Sequence, residues 1–171
     1  QVHQVCSAPE MVRAAYCADQ VWITTGDSSH VKFWTFKASE AEPLQNTKGT
    51  WGDAKDPPRV LWSVAHLNGD DVTFIGGSNG TVSMWRFPGE CFRVQRLHRP
   101  DHMVYALAGQ KDGKHMWSGG ADQRLKQWAI KDYKFTCLRE YDMSFEGAGR
   151  VKVFEAPALG SDAGRPPPSE A

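Results

Sequence analysis

Six histidines, four cysteines and a scatter of serines and acids are the residues of this chain that could do chemistry. Histidine binds metals and moves protons near neutral pH. Cysteine binds metals, or attacks as a thiolate. The spacing supports none of these. His3, His30, His66, His98, His102 and His115 fall on different strands and turns, and a metal site needs several ligands converging on one point. Cys6, Cys17, Cys91 and Cys137 form no C-x-x-C pair, so neither a zinc-finger nor a redox spacing exists. Cys17, Cys91 and Cys137 lie in or beside apolar runs, which points to buried free thiols in a reducing compartment rather than a disulfide frame. No Ser-His-Asp or Cys-His set stands out from the spacing. No catalytic residue, no metal ligand and no cofactor is expected.

Three short stretches invite a sharper reading. Gly26-Asp27-Ser28-Ser29 could be a phosphate-binding loop, but no Lys-Ser/Thr follows it and no helix pattern succeeds it. Asn79-Gly80-Thr81 fits the glycosylation pattern, yet Asn-Gly is also a strong hairpin signal, because both residues tolerate positive φ. Arg93, Arg96 and Arg99, with His98 among them, form a local basic patch. It is either a solvated outer edge or a contact for an acidic surface. Trp51 stands between Gly49 and Gly52; it either folds back on its neighbours or offers a hot spot to a partner. Arg93, Arg96, Arg99 and Trp51 are therefore the candidate partner contacts.

The positioning elements repeat. Aligned on Trp34, Trp85 and Trp128, three segments read GDSSHVKFWTF, GSNGTVSMWRF and GADQRLKQWAI. In each, a glycine (Gly26, Gly77, Gly120) stands eight residues before the Trp, and an aliphatic residue stands three before it. The Trps are 51 and then 43 residues apart. The alternation within each copy has the period of strands, and a helical stripe fits neither face. A strand precedes each glycine (Val21 to Thr25, Val72 to Ile75, His115 to Ser118), and another precedes that (Val12 to Cys17, Val60 to Ala65, Val104 to Ala108). A fourth strand follows copies two and three, at Cys91 to Leu97 and Thr136 to Tyr141. The unit is an antiparallel four-stranded meander, about three times over.

These copies resemble blades of the WD-repeat β-propeller family. Ser118-Gly119-Gly120-Ala121-Asp122-Gln123-Arg124-Leu125-Lys126-Gln127-Trp128 follows that family's S-G-G-x-D-x-x-[LI]-x-x-W ending. The resemblance makes Asp122 the tight-turn aspartate; Ser28 and Asn79 stand at its place in the other copies. The family's histidine before the first strand falls near Pro100, with His98 and His102 to either side. More narrowly, the chain resembles the echinoderm microtubule-associated protein-like group. The carrying residues are Phe33-Trp34-Thr35-Phe36, the linker from Leu44 to Gly52, and Pro57 to Val64. Leu138-Arg139-Glu140 and Gly149 to Val153 also fit.

The fold class expected is all-β: a WD-repeat propeller fragment of about three blades plus the first strand of a fourth. The partial propeller spans residues 1–154, with blades near 10–58, 59–98 and 102–142 and the extra strand at 149–154. Residues 155–171, rich in Pro, Gly and Ala, are expected to be a flexible tail. Three blades do not close a ring, so further blades from a parent or partner chain are expected partners. The 20 basic and 20 acidic residues cancel, which leaves no electrostatic footprint for nucleic acid or an anionic membrane. No apolar run is long enough for a transmembrane helix. The resemblance implies a non-catalytic scaffold that binds other proteins: tubulin or microtubules, or axonemal proteins, in the cytoplasm, the cytoskeleton or a cilium. A soluble propeller adaptor of ubiquitin ligation, trafficking or RNP assembly is the alternative.

Overall fold

A computed structural model describes residues 12–18, 21–26, 29–35, 45–54, 57–67, 71–144 and 151–153. Among these the chain is all β, without a helix long and apolar enough to cross a membrane. The first sheet holds β1 (Val12–Ala18), β2 (Val21–Gly26), β3 (Val31–Thr35) and β4 (Gln45–Lys48) in that order. The second holds β5 (Leu61–His66), β6 (Val72–Gly77), β7 (Thr81–Arg86) and β8 (Glu90–Arg96). The third holds β9 (Val104–Gly109), β10 (His115–Gly120), β11 (Arg124–Lys131) and β12 (Lys134–Asp142), with β13 (Val151–Val153) outside β12. Every neighbouring pair within a sheet is antiparallel. The first strands of the sheets, β1, β5 and β9, lie side by side, as in an arc of blades around an axis.

The middle blade is covered on both faces, and its alternation assigns each residue to a neighbour. Val72, Phe74, Val82 and Met84 pack with Val104, Met116, Trp128 and Phe135 of blade three. Ile75 and Trp85 pack with Ile23, Val31 and Phe33 of blade one. β5 serves both sides. A bulge between Leu61 and Ser63 reverses its parity. Leu61 therefore joins the blade-one cluster, whereas Ala65 and Leu67 join the blade-three cluster. Bulges recur at equivalent places beside Trp85 and Trp128. There the thiols of Cys91 and Cys137 each lie 3.6 Å from the carbonyl two residues on.

Two strands depart from the sequence reading. β4 lies inside the stretch read as a linker. Its Gln-Asn-Thr-Lys side chains are all exposed, so no alternation marked it as a strand. Val151–Val153, expected to open a fourth blade, pairs instead with β12 as a fifth strand of blade three. Its short apolar alternation fits an outer edge as well as an inner one. Residues 155–171, expected as a tail, lie outside the described residues.

The turn between second and third strand also differs from a two-residue hairpin. In blade two it is Ser78-Asn79-Gly80, and of these Gly80 alone has positive φ, 78°. Ser29 (58°) and Gln123 (59°) hold the same place in blades one and three. A side chain in this left-handed conformation costs about 1–2 kcal/mol. A glycine avoids that cost but adds freedom to the unfolded chain. Gln123→Gly should therefore stabilise by about 0.5–1 kcal/mol in denaturant unfolding. Gly80→Ala should destabilise by about 2 kcal/mol or more, because its Cβ would meet the carbonyl oxygens of Arg99 and His98.

Candidate functional site

The most connected polar cluster of the described residues is buried between blades two and three. Asp122 sits in the turn after β10 and is 7% exposed. Its Oδ1 lies 2.8 Å from His98 Nδ1. Its carboxylate also accepts the backbone N–H of Arg99 and of Arg124, both at 3.2 Å. His98 Nε2 lies 2.8 Å from Ser118 Oγ, and the Trp128 indole N–H donates to the same oxygen at 2.8 Å. An indole nitrogen can only donate. The Asp122 carboxylate can only accept, so the proton of the neutral His98 ring sits on Nδ1, facing it; Nε2 is then an acceptor, and it takes the Ser118 hydroxyl proton. One direction runs through the chain: Trp128 to Ser118 to His98 to Asp122.

This is the Ser-His-Asp set that sequence spacing did not propose. Its atom order matches a nucleophilic triad, but its surroundings do not. Ser118 is 1% exposed, its oxygen is capped by Trp128, and both His98 and Asp122 side chains are fully enclosed. A substrate carbonyl has no approach. The cluster is a structural lock. Burial drives the His98 pKa below its ordinary 6.5, with the Asp122 contact only partly offsetting it. Burial alone would raise Asp122, but the hydrogen bonds from His98 and the two backbone amides outweigh it and hold the carboxyl below its ordinary 3.8.

His98 itself was legible only as one of two candidates. The connection from it to β9 is long, so it stands further from the strand than the family spacing suggests. The Gly77 and Gly120 pair resolves the ambiguity. A Cβ on Gly120 would lie 2.5 Å from His98 Nδ1, and one on Gly77 would lie 2.5 Å from Pro58. Pro58 thus holds in blade two the place that His98 holds in blade three.

The other named residues are dispersed. Trp34, Trp85 and Trp128 are 7%, 0% and 7% exposed. Trp85 lies against blade one and Trp128 against blade two. Trp51 stacks edge-on against Trp85, with centroids 4.7 Å apart, while a Cβ on Gly49 would meet the same indole at 2.7 Å. Gly26 closes β2 at the end of the first blade's hairpin. Arg93 and Arg96, both exposed, line a groove of about 670 Å³ beside β8. Arg99 stands apart from them, over the Asp122 turn. The histidines do not converge: His102 Nδ1 meets Pro100 O at 2.8 Å, and His115 Nδ1 meets Asp112 Oδ2 at 2.5 Å. His3 lies outside the described residues. No group of three His, Cys, Asp or Glu suited to a metal occurs among the described residues. Cys91 is a free, buried thiol, with its pKa pushed up to about 11 by burial.

No family model matches the chain. It is 30% identical over 161 residues to the echinoderm microtubule-associated protein-like 3 of Mus musculus and to that of Homo sapiens. Each match covers 84% of this chain and 17% of the relative. It is 28% identical over 123 residues to the human echinoderm microtubule-associated protein-like 2, covering 72% of this chain and 18% of that protein. The chain thus spans less than a fifth of the curated relatives' length. Among solved structures it is similar to the WD40 β-propeller domain of Doa1, with TM-score 0.61, 16% identity, and 78% of this chain and 42% of that one covered. The β-propeller domain of Myceliophteria thermophila Cps50 (Swd1) gives TM-score 0.59 at 9% identity, over 71% and 41%.

Asp122→Ala leaves the His98 Nδ1–H and two buried amides without their acceptor. It should cost about 3 kcal/mol, and Asp122→Asn distinctly less. Both buried groups have lowered pKa values, so protons bind the unfolded chain more readily. Stability contributed by His98 is complete above pH 6.5 and is lost as pH falls below it; that from Asp122 is lost only below 3.8. Urea midpoints should therefore hold level above about pH 6.5 and decline on acidification toward about pH 5, and His98→Gln should flatten that decline.

Proposed function

We infer that this chain, a partial WD-repeat β-propeller related to the echinoderm microtubule-associated protein-like proteins, is a non-catalytic scaffold that binds other proteins in the microtubule cytoskeleton of the cytoplasm. The observation that carries the reading is the sequence relationship to those proteins across 84% of the chain. The site geometry supports its non-catalytic part. Among the described residues, the one constellation with the atom order of a catalytic set is closed by Trp128, and its Ser118 is buried. The cluster spends its hydrogen bonds on joining two blades. What such an arc offers to others is surface: blade edges, turns and rims. The relatives' names speak of microtubules and not of cilia, so the reading stops at the microtubule.

Co-sedimentation with drug-stabilised microtubules tests it. The chain should pellet saturably with rising tubulin and be released by added salt, since exposed charges such as Arg93, Arg96 and Arg99 would carry contact with an acidic surface. Retention in the supernatant at every tubulin concentration would remove the cytoskeletal assignment.

A further inference from the structure

The outer strand of the second blade is an edge that the chain has already begun to fill. Among the described residues β8 is last in its sheet, so a row of its backbone donors and acceptors points away from β7. Thr50 occupies the start of that row. Its N–H donates to Gly89 O at 2.7 Å, and the Cys91 N–H donates to Thr50 O at 2.9 Å, forming a parallel bridge. At Gly52, with φ of 53°, the chain turns away. Beyond it, Gly52, Asp53 and Ala54 form one wall of the 670 Å³ groove, and β8 forms the other as far as Arg96. The equivalent outer strand of blade three, β12, carries an added strand, β13. A blade edge of this fold therefore accepts a further strand from either direction.

The charges along the groove are ordered. Asp53 and Glu90 stand at the end where Thr50 leaves the edge, and Arg93 and Arg96 stand further along. A strand continuing parallel from Thr50 would meet the carboxylates first and the guanidiniums second. Backbone pairing would supply affinity, and the order of charge would supply register and direction.

We propose that this groove binds an extended peptide of a partner protein, added as a parallel strand to β8 and carrying basic residues ahead of acidic ones. The proposal rests on reading the chain as an interaction scaffold, and it names the kind of partner. Titration of the whole chain with two synthetic peptides tests it: acetyl-Thr-Lys-Val-Lys-Val-Glu-Val-Glu-amide and its charge-reversed counterpart, acetyl-Thr-Glu-Val-Glu-Val-Lys-Val-Lys-amide. The first should bind about tenfold more tightly. N-methylation of alternate amides should abolish its binding. The pair Asp53→Lys and Arg96→Glu, both at exposed positions, leaves one charge of each sign at either end of the groove and should erase the preference while leaving circular dichroism unchanged. Equal affinity of the unaltered chain for both orders, no saturable binding of either, or a preference unmoved by the charge swap would overturn the proposal. Absent peptide binding with intact microtubule pelleting would overturn the groove alone and leave the scaffold reading standing.

Discussion

A carboxylate cut off from water must be given hydrogen bonds or it unfolds its surroundings. Asp122 receives them from two directions. Arg124 N–H comes from its own turn; His98 Nδ1–H and Arg99 N–H come from the connection entering the blade. That connection is tied in turn to the preceding blade, because the N–H groups of Leu97 and His98 both donate to Gly80 O, each at 3.0 Å. One buried charge thus fixes a turn, a connection and the neighbouring turn in mutual register. The requirement for Gly80 and Gly120 is a consequence of this closeness: the backbone and imidazole that complete the cluster occupy the space a side chain would need.

Blade two reaches the same architecture with other chemistry. Its Trp85 indole N–H donates to Ser83 Oγ at 2.8 Å, two residues earlier on the same strand, and the Ser83 hydroxyl donates onward to Ile75 O at 3.2 Å. Pro58 fills the place of the imidazole over Gly77. Asn79 Oδ1 takes the Thr81 hydroxyl at 2.6 Å and its backbone N–H at 3.3 Å, a local turn bond rather than a cross-segment one. Blade two keeps its connection in place through blade one: Ser29 N–H donates to Arg59 O at 2.9 Å and Ser29 Oγ to Pro58 O at 2.7 Å. What blades two and three share is satisfaction of the indole and of the connection, not the identity of the groups that satisfy them.

This explains what could be read from the sequence. Trp, Gly and aliphatic positions repeat because each must fill the same gap between sheets, and sterics leave few substitutes. β4 carried no signal because an exposed outer strand of four polar residues buries nothing. Val151–Val153 was visible as a strand but not in its place, since alternation records burial and not which edge is joined. The Asp122 lock was half legible. The turn aspartate is fixed by adjacency to Gly120, whereas its histidine partner depends on the length of a connection that no periodicity constrains. The Trp51 contact with Trp85 was one of two readings. Choosing between them required knowing that the outer end of blade two lies beneath the linker.

The packing of the tryptophans gives the arc a direction in time as well as in space. Trp85 lies on blade one and Trp128 lies on blade two, so each wedge reaches toward the blade made before it. The hydrogen bonds from Leu97 and His98 also run back, to a turn already complete. During synthesis the chain emerges amino end first. Blades two and three then each meet a finished surface, and neither Trp85 nor Trp128 has to wait exposed for a partner still to be translated. An arc of the opposite polarity would leave each indole uncovered for the length of a blade, among other nascent chains. Such a structure could have the same final contacts, yet it would be far harder to assemble on a ribosome.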